Sequence, residues 1–513
     1  MRKLQTLWIL AMLLALARSE AWAQDSSTQP STGDAPQSAS QEPVPAYGQD
    51  NAPPSVTENP PLSGLDLPSL EPHAAPLSYL QPGATFSESI GSNATGNLGG
   101  GGVISITRGV GSITLQRLWS NYDLAMDYFG GVAYYARTGQ GFQSLQQMDL
   151  DQKITWKRGQ LSVRDSFSYL PEGNFGGAYG SMGSQGIASL GNSAFGGFWG
   201  GSSLGNLGLA PRILNVSLAD ISESLSPRST VTVAGGYAFT HFYGTDTTGN
   251  SFIGGSQVSV QVGYNRLLTP QTQIALVYGY QGFDFSVQGT AFHTHVIQGV
   301  YGHRITGRLD FLVGAGPQIT FIDTQTATCS LTIVAPYYCE LFGGTLIPTT
   351  QKSTNVGVAA QARLRYKFSK TSAYLDFKRY DTSGSGFFAG AQSNIVNLGA
   401  ERPLSRVWDA FVNIGYSTNS RLQPLSQFQL IQCGNPQTQT ACPANNAGSY
   451  NYGFAGAGVH RAFGRELHAY FSYQFNRLSF ANSFCGTGAC NRISNQSLAT
   501  FGLDWTPRPI RID

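Results

Sequence analysis

Along most of this chain apolar and polar residues alternate with a period of two, in runs of about ten residues or more. In TQIALVYGYQGFDFS, Ile274, Leu276, Tyr278 and Tyr280 share one face and Gln273, Ala275, Gly279 and Gln281 the other. In GSQVSVQVGYNRL, Val258, Val260, Val262 and Tyr264 alternate with Gln257, Ser259, Gln261 and Asn265. In STNVGVAAQARLRYKF, Val356, Val358, Ala360, Ala362, Leu364, Tyr366 and Phe368 oppose Asn355, Gly357, Gln361, Arg363, Arg365 and Lys367. Period two is the signature of a strand with two unlike faces. A run of about ten residues is what a tilted strand needs to cross a bilayer, whereas strands of soluble domains centre on about five or six.

Composition points the same way. Charged residues are 12% of the chain, against about 25% in an ordinary soluble domain. There are 62 glycines in 513 residues, and aromatics reach 12%. No stretch beyond the N-terminus approaches the eighteen or so consecutive apolar residues of a spanning helix. Few charges, many glycines and aromatics, and long alternating strands are the combination expected of a transmembrane β-barrel with an apolar lipid face and aromatic girdles. The formal net charge of +2 carries no nucleic-acid signal, which would need a basic stripe.

The N-terminus divides into two parts. Arg2 and Lys3, the apolar run Leu7 to Leu16, and Ala21-Trp22-Ala23 form the three regions of a secretory signal peptide over residues 1–23. Residues 24–82 are rich in Pro, Ser, Gln and Ala and poor in large apolar side chains. They bury too little surface to offset ordering and read as a disordered periplasmic linker. Residues 83–513 carry the barrel pattern.

Connectors within that region alternate in length. Short ones carry a recurring turn chemistry: LSPRST (225–230), LLTPQT (267–272), RITGR (304–308), FSKTS (368–372), PLSRVW (403–408) and AFGREL (462–467). Longer Gly-, Asn- and Thr-rich connectors lie near 171–211, 244–255, 323–352, 418–449 and 481–494. Tight turns on one side and long loops on the other are the organisation of outer-membrane barrels. About seventeen strands are legible between residues 103 and 505, and ATFSESIGS would add one, making the even number expected when both termini are periplasmic. The fold class read from the sequence is therefore all-β: an antiparallel up-and-down transmembrane barrel of about 16–18 strands after a disordered N-terminal segment.

SLATFGLDW places Ala499, Phe501, Leu503 and Trp505 on one face, and with the features above the region 84–505 resembles bacterial outer-membrane β-barrels of the porin-like type. It departs from the commonest form because TPRPIRID follows the terminal aromatic. The resemblance is architectural and transfers no family's site residues. It implies insertion into the bacterial outer membrane by that membrane's insertion machinery, contact with its lipid, and a water-filled lumen. The function it implies is passive diffusion of small hydrophilic solutes or ions, without cofactor or nucleic-acid partner. A homo-oligomer is compatible with it. The alternative is a surface-structural or adhesive barrel with disulfide-tied extracellular loops. An outer-membrane hydrolase ranks lower, because no convincing catalytic set is visible and the chain reads as no enzyme.

If Ile, Val and Leu face lipid, then Asp123, Asp127, Asp149, Asp151, Lys153, Lys157, Arg164, Arg363, Arg365, Lys367, Asp376, Lys378 and Glu401 point inward and are candidates for lining a pore. Charged rings or ladders of this kind set ion preference. Both signs are present, with Arg363, Arg365 and Lys367 the densest basic set. The tract 176–209, GGAYGSMGSQGIASLGNSAFGGFWGGSSLGNLGL, is a loop of about forty residues when its flanks are added, a length that is usually functional or disordered. Phe175, Tyr179, Phe195, Phe198 and Trp199 make it a candidate constriction folded partly into the lumen. Its Gly201-Ser202-Ser203-Leu204-Gly205 matches a nucleophile elbow only by composition.

Six cysteines form three near pairs within long connectors: Cys329 and Cys339, Cys433 and Cys442, Cys485 and Cys490. Local disulfides in an oxidising compartment are the expectation, rather than a metal site, since no His lies beside them. His293 and His295 share a strand face with His303, but His303 lies roughly 26 Å from His295 at about 3.3 Å per residue, so the three cannot hold one ion.

Overall fold

A computed structural model describes residues 62–63, 78–93, 101–136, 141–170, 212–243, 253–285, 290–330, 344–368, 370–382, 388–422, 448–481 and 493–512. Its strands are β1 (Tyr79–Ser92), β2 (Val103–Leu118), β3 (Tyr122–Tyr135), β4 (Gly141–Trp156), β5 (Gly159–Leu170) and β6 (Arg212–Ser226). They continue as β7 (Ser229–Phe242), β8 (Gly255–Thr269), β9 (Thr272–Phe285), β10 (Thr290–Thr306), β11 (Leu309–Cys329) and β12 (Leu346–Lys367). The last are β13 (Ser372–Thr382), β14 (Ala391–Pro403), β15 (Trp408–Arg421), β16 (Ser449–Phe463), β17 (Leu467–Phe480), β18 (Ile493–Trp505) and the short β19 (Ile510–Arg511).

Each strand pairs antiparallel with its sequence neighbours from β1 to β18, and β1 then pairs with β18 from Ala84↔Trp505 to Ser92↔Ser497. The ring is closed. The segment after Trp505 that departs from the common terminal pattern continues the seam along β1. There Ile510 and Arg511 pair with Leu80 and Tyr79, and the Gln81 side-chain amide donates to the Pro507 carbonyl at 3.0 Å. The first strand begins at Tyr79, ahead of the boundary at 83 expected from composition.

The two faces follow the alternation. On β8, Val258, Val260, Val262 and Tyr264 are exposed on the outer wall, while Gln257, Ser259, Gln261 and Asn265 are buried on the inner one. On β9, Ile274, Leu276 and Tyr278 face out and Gln273, Ala275, Val277 and Gln281 face in. Exposed aromatics stand at both ends of the outer wall, among them Trp119, Trp156, Tyr264, Tyr301 and Trp505 at the short-turn end and Tyr134, Phe142 and Tyr243 at the other. At the short-turn end they find polar partners: Trp156 Nε1 donates to Glu223 at 2.7 Å, and the Arg117 guanidinium lies 4.8 Å over Trp119. This is the amphipathic girdle of a membrane interface.

Turn chemistry explains the short connectors. In four of them a hydroxyl accepts from the backbone N–H two residues on: Ser226 from Arg228, Thr269 from Gln271, Thr306 from Arg308 and Ser405 from Val407. A Ser or Thr in this position closes a turn on itself. Both barrel termini lie at this end, the periplasmic one in the shared organisation of such barrels.

Two regions depart from plain alternation. Glu88 and Asp165 carry carboxylates on the outer wall, but each is held by neighbouring strands: Glu88 accepts from Ser105 and Thr107, and Asp165 from Ser217 and Asn215. The β11–β12 ladder runs on to Cys329↔Leu346, whereas β12 leaves β13 above Ala360↔Arg379. That hairpin therefore stands past the ring, and above the split Asp381 of β13 reaches Thr320 on the inward face of β11 at 2.5 Å.

The lipid-facing role of β8 generates a test. Val260→Arg, at the middle of an outward face, should lower stability in bilayers by about 2–4 kcal/mol, while Val260→Leu changes it little. Urea unfolding in lipid vesicles, followed by heat-modifiable migration on gels, measures both.

Candidate functional site: the barrel lumen

The inner wall carries two arcs of opposite charge. On β3 to β6, the register sets Asp127 beside Asp149, Asp151 beside Arg164, and Asp123 beside Lys153. Arg164 Nε lies 3.1 Å from Asp151 Oδ2, with both side chains largely buried. Asp149 is fully buried and accepts from Gln147 at 2.7 Å and Ser166 at 2.5 Å. Asp220 stands next in the row, across from Ser162. The arc is acidic, with Lys153 and Arg164 set among five carboxylates.

On β11 to β13 the balance reverses. Arg363 faces Asp376, Lys378 faces Gln361, and Arg365 meets Asp310 with Nη2 to Oδ2 at 3.1 Å. Lys367 closes the row at the short-turn end of β12. Glu401 sits across from Ser372 at the adjoining edge of β14, and Lys157 lies exposed in the β4–β5 turn. Between the two arcs stand β7 to β10 on one side, and β14 to β18 with β1 and β2 on the other. Read along the chain the two signs look mixed, whereas closure separates them onto facing walls near the same end.

Sequence reasoning also missed inward residues. Arg108 is 1% exposed and donates from Nη1 to Ser89 Oγ at 2.7 Å inside the lumen. It was overlooked because its strand carries Ile104 and Ile106 at the same parity, and the rule that sends Ile, Val and Leu to lipid assigned that face outward. The rule fails here and on β6, β9 and β10, where Val216, Leu218, Val277, Val296 and Val300 are buried on the inner wall. The physical reason is that parts of the lumen are packed with protein, so apolar side chains there meet other side chains and no water.

One such packing is a septum at the long-loop end. Phe388 belongs to a buried cluster with Ile104, Ile106, Tyr135, Tyr450, Phe480 and Leu498, on the walls of β2–β4 and β16–β18. The adjacent Ala389 packs with Ile253, Phe283, Phe285, Phe292 and Ile322, on the walls of β8–β11. Neighbouring residues thus touch separate arcs of the ring, and this stretch of backbone lies inside the ring between them. Gly390 fits the close approach: its φ is +88°, and a Cβ there would lie 2.6 Å from Phe292 Cε1. Its carbonyl accepts from the Leu422 N–H at 3.2 Å. The sequence signal available was Gly386-Phe387-Phe388-Ala389-Gly390, an apolar pair between glycines.

The candidate constriction residues Phe175, Tyr179, Phe195, Phe198 and Trp199 lie outside the described residues, as does the Gly201–Gly205 tract. Cys339, Cys433, Cys442, Cys485 and Cys490 do too, while Cys329 ends β11. His293, His295 and His303 stand at outward positions, each with Nδ1 at 2.9 Å from a neighbouring hydroxyl: Tyr280, Tyr278 and Thr272. Among the described residues no group of three or more His, Cys, Asp or Glu side chains is placed to hold a metal ion.

Removing the ring that anchors the septum tests it. Phe388→Ala should lose about 3 kcal/mol or more of packing. Limited proteolysis of the folded barrel should then cut between β13 and β14, where the wild type resists.

No family model matches the sequence, and no curated protein matches it. Among solved structures, the ferric-catecholate import receptor Fiu of E. coli K12 is 9% identical over 83% of this chain and 81% of its own, with a TM-score of 0.40. Pseudomonas aeruginosa OccK5 (OpdH) is 10% identical over 84% and 98%, with a TM-score of 0.37. Acinetobacter baumannii OccAB1 is 9% identical over 84% and 96%, with a TM-score of 0.39. What this chain is follows from its own geometry. A closed antiparallel ring of strands β1 to β18, apolar outside and polar and charged within, is a bacterial outer-membrane barrel of porin-like architecture.

Proposed function

We propose that the barrel is an outer-membrane channel through which small hydrophilic solutes or ions pass by passive diffusion. The observation that carries this reading is the segregation of charge: an acidic arc on β3–β6 faces a basic arc on β11–β13 near the periplasmic end. A structural barrel needs ion pairs within its wall, and Asp151–Arg164 and Asp310–Arg365 are such pairs. It has no need of a surplus of each sign on facing walls. That surplus makes a field across the lumen, which orients dipolar solutes and sets ion preference.

With this reading goes a processing scheme drawn from the sequence: residues 1–23 as a cleaved signal peptide, insertion by the outer-membrane machinery, and local Cys329–Cys339, Cys433–Cys442 and Cys485–Cys490 bridges. Protein purified from outer membranes should begin near Gln24. It should also gain about 6 Da on reduction, as three bridges open, measured by intact mass.

Single-channel recording of refolded protein in a planar bilayer under a salt gradient tests the channel. Stable conductance steps are expected. Arg363→Gln with Lys367→Gln should move the reversal potential toward cation preference, and Asp149→Asn should move it the other way. Silence from folded, inserted protein would favour the surface-structural barrel instead, and unchanged selectivity in both variants would remove the charged arcs from the pathway.

A further inference from the structure

We propose that the inner wall of β7–β11 is a binding site for a segment of this same chain, and that Leu62–Ser63 seated in it plug the periplasmic half of the lumen. The occlusion rests on the channel reading above, whereas the binding site does not.

The site is built to hold a short peptide by its backbone. Leu62 N–H donates to Asn265 Oδ1 at 3.2 Å. The Ser63 carbonyl accepts from Thr232 Oγ1 at 2.8 Å and from Gln261 Nε2 at 2.8 Å. The Ser63 and Thr232 hydroxyls are 2.9 Å apart, and Ser63 itself is 1% exposed. Thr232, Gln261 and Asn265 are each at least nine-tenths buried. Polar side chains so buried on a lumen wall need partners, and the dipeptide supplies them.

Leu62 fills the apolar half of the site. It packs on the cluster of Ala275, Val277 and Val300, against which Leu312 also packs, inward residues that a water-filled pore would leave wet. Two glycines leave room for it. A Cβ at Gly263 would lie 2.4 Å from Ser63 Cβ, and one at Gly302 would lie 2.9 Å from Leu62 Cδ1. The wall thus has no side chain at either point where the segment rests. Thr232, Asn265 and Gly302 all belong to the short-turn half of their strands, the half that opens beside β1. From Ser63 to Ser78 the chain advances fifteen residues, a reach of up to about 50 Å, enough to enter the lumen from that mouth. The ligand class is a short peptide with a leucine followed by a small hydroxyl residue, and the chain carries one.

The test uses full-length protein from outer membranes. Ser63→Cys with Thr232→Cys should form a disulfide, identified by peptide mapping in folded protein, because the two hydroxyls it replaces are already in contact. Gly263→Leu added to that pair should abolish the cross-link while heat-modifiable migration reports an intact barrel. In bilayers the cross-linked pair should conduct less than the same protein after reduction, with reductant leaving wild type unchanged. Leu62→Asp should shift the docked–undocked balance by about tenfold or more toward undocked and raise the open fraction accordingly.

Failure of the pair to cross-link in folded protein would overturn the binding site, as would a cross-link that survives Gly263→Leu. Equal conductance of the locked and reduced forms would overturn the plug. If no form conducts at all, the channel reading fails, and the cross-link alone decides whether the wall binds its own segment.

Discussion

In hydrocarbon there is no water to satisfy a backbone N–H or C=O, and everything else in this molecule follows from meeting that demand with strands. An open sheet would leave two bare edges in lipid. The seam of β1 with β18 removes them, and the tail after Trp505 extends the protection by laying Ile510 and Arg511 against the start of β1. Where the ladder is weakest the geometry is local. Around Pro317, which has no N–H to give, the β10–β11 pairing lapses between Val296↔Gln318 and Gly299↔Ala315 and then resumes.

Closure creates an interior that a ring of this size does not fill with wall side chains alone. Among the described residues, two parts of the chain enter it. Phe388–Gly390 sit at the long-loop end in apolar packing, and Leu62–Ser63 sit toward the other end on hydrogen bonds and one leucine. The contrast is chemical. The septum is tied at both ends to adjacent strands and packs rings on rings, such as Phe388 on Tyr450 at 5.3 Å. Leu62 and Ser63 belong to no strand, so their release costs the barrel no strand pairing. Between the two levels the wall is a polar network, with Asn476 linking Tyr452, Gln474 and Gln496.

Closure also turns a charge pattern into a field. Asp149 and Arg365 lie more than two hundred residues apart in sequence, and along the chain their neighbourhoods look like ordinary mixed-charge strands. Rolling the sheet sets the acidic strands across from the basic ones. The pairs Asp151–Arg164 and Asp310–Arg365 lie within the two arcs.

The sequence by itself determined the strands, the outer wall and the turns. Side-chain alternation has a period of two, so Val258, Val260 and Val262 must share a face, and Ser226, Thr269, Thr306 and Ser405 announce turns through bonds made within three residues. The inward assignment of Arg363, Arg365 and Lys367 was legible for the same reason. Only the tertiary structure decided what the inner face meets. Ile104 and Ile106 alternate as cleanly as Val258 and Val260, yet they face inward, because Phe388 from the distant β13–β14 connector covers them. Leu62 lies in a Pro-rich stretch whose composition argues against burial, and only the apolar and glycine positions of β9 and β10, brought together by closure, half-bury it. A period reports that a strand has two faces. Which face is dry depends on contacts between residues hundreds of positions apart, and those exist only once the ring has closed.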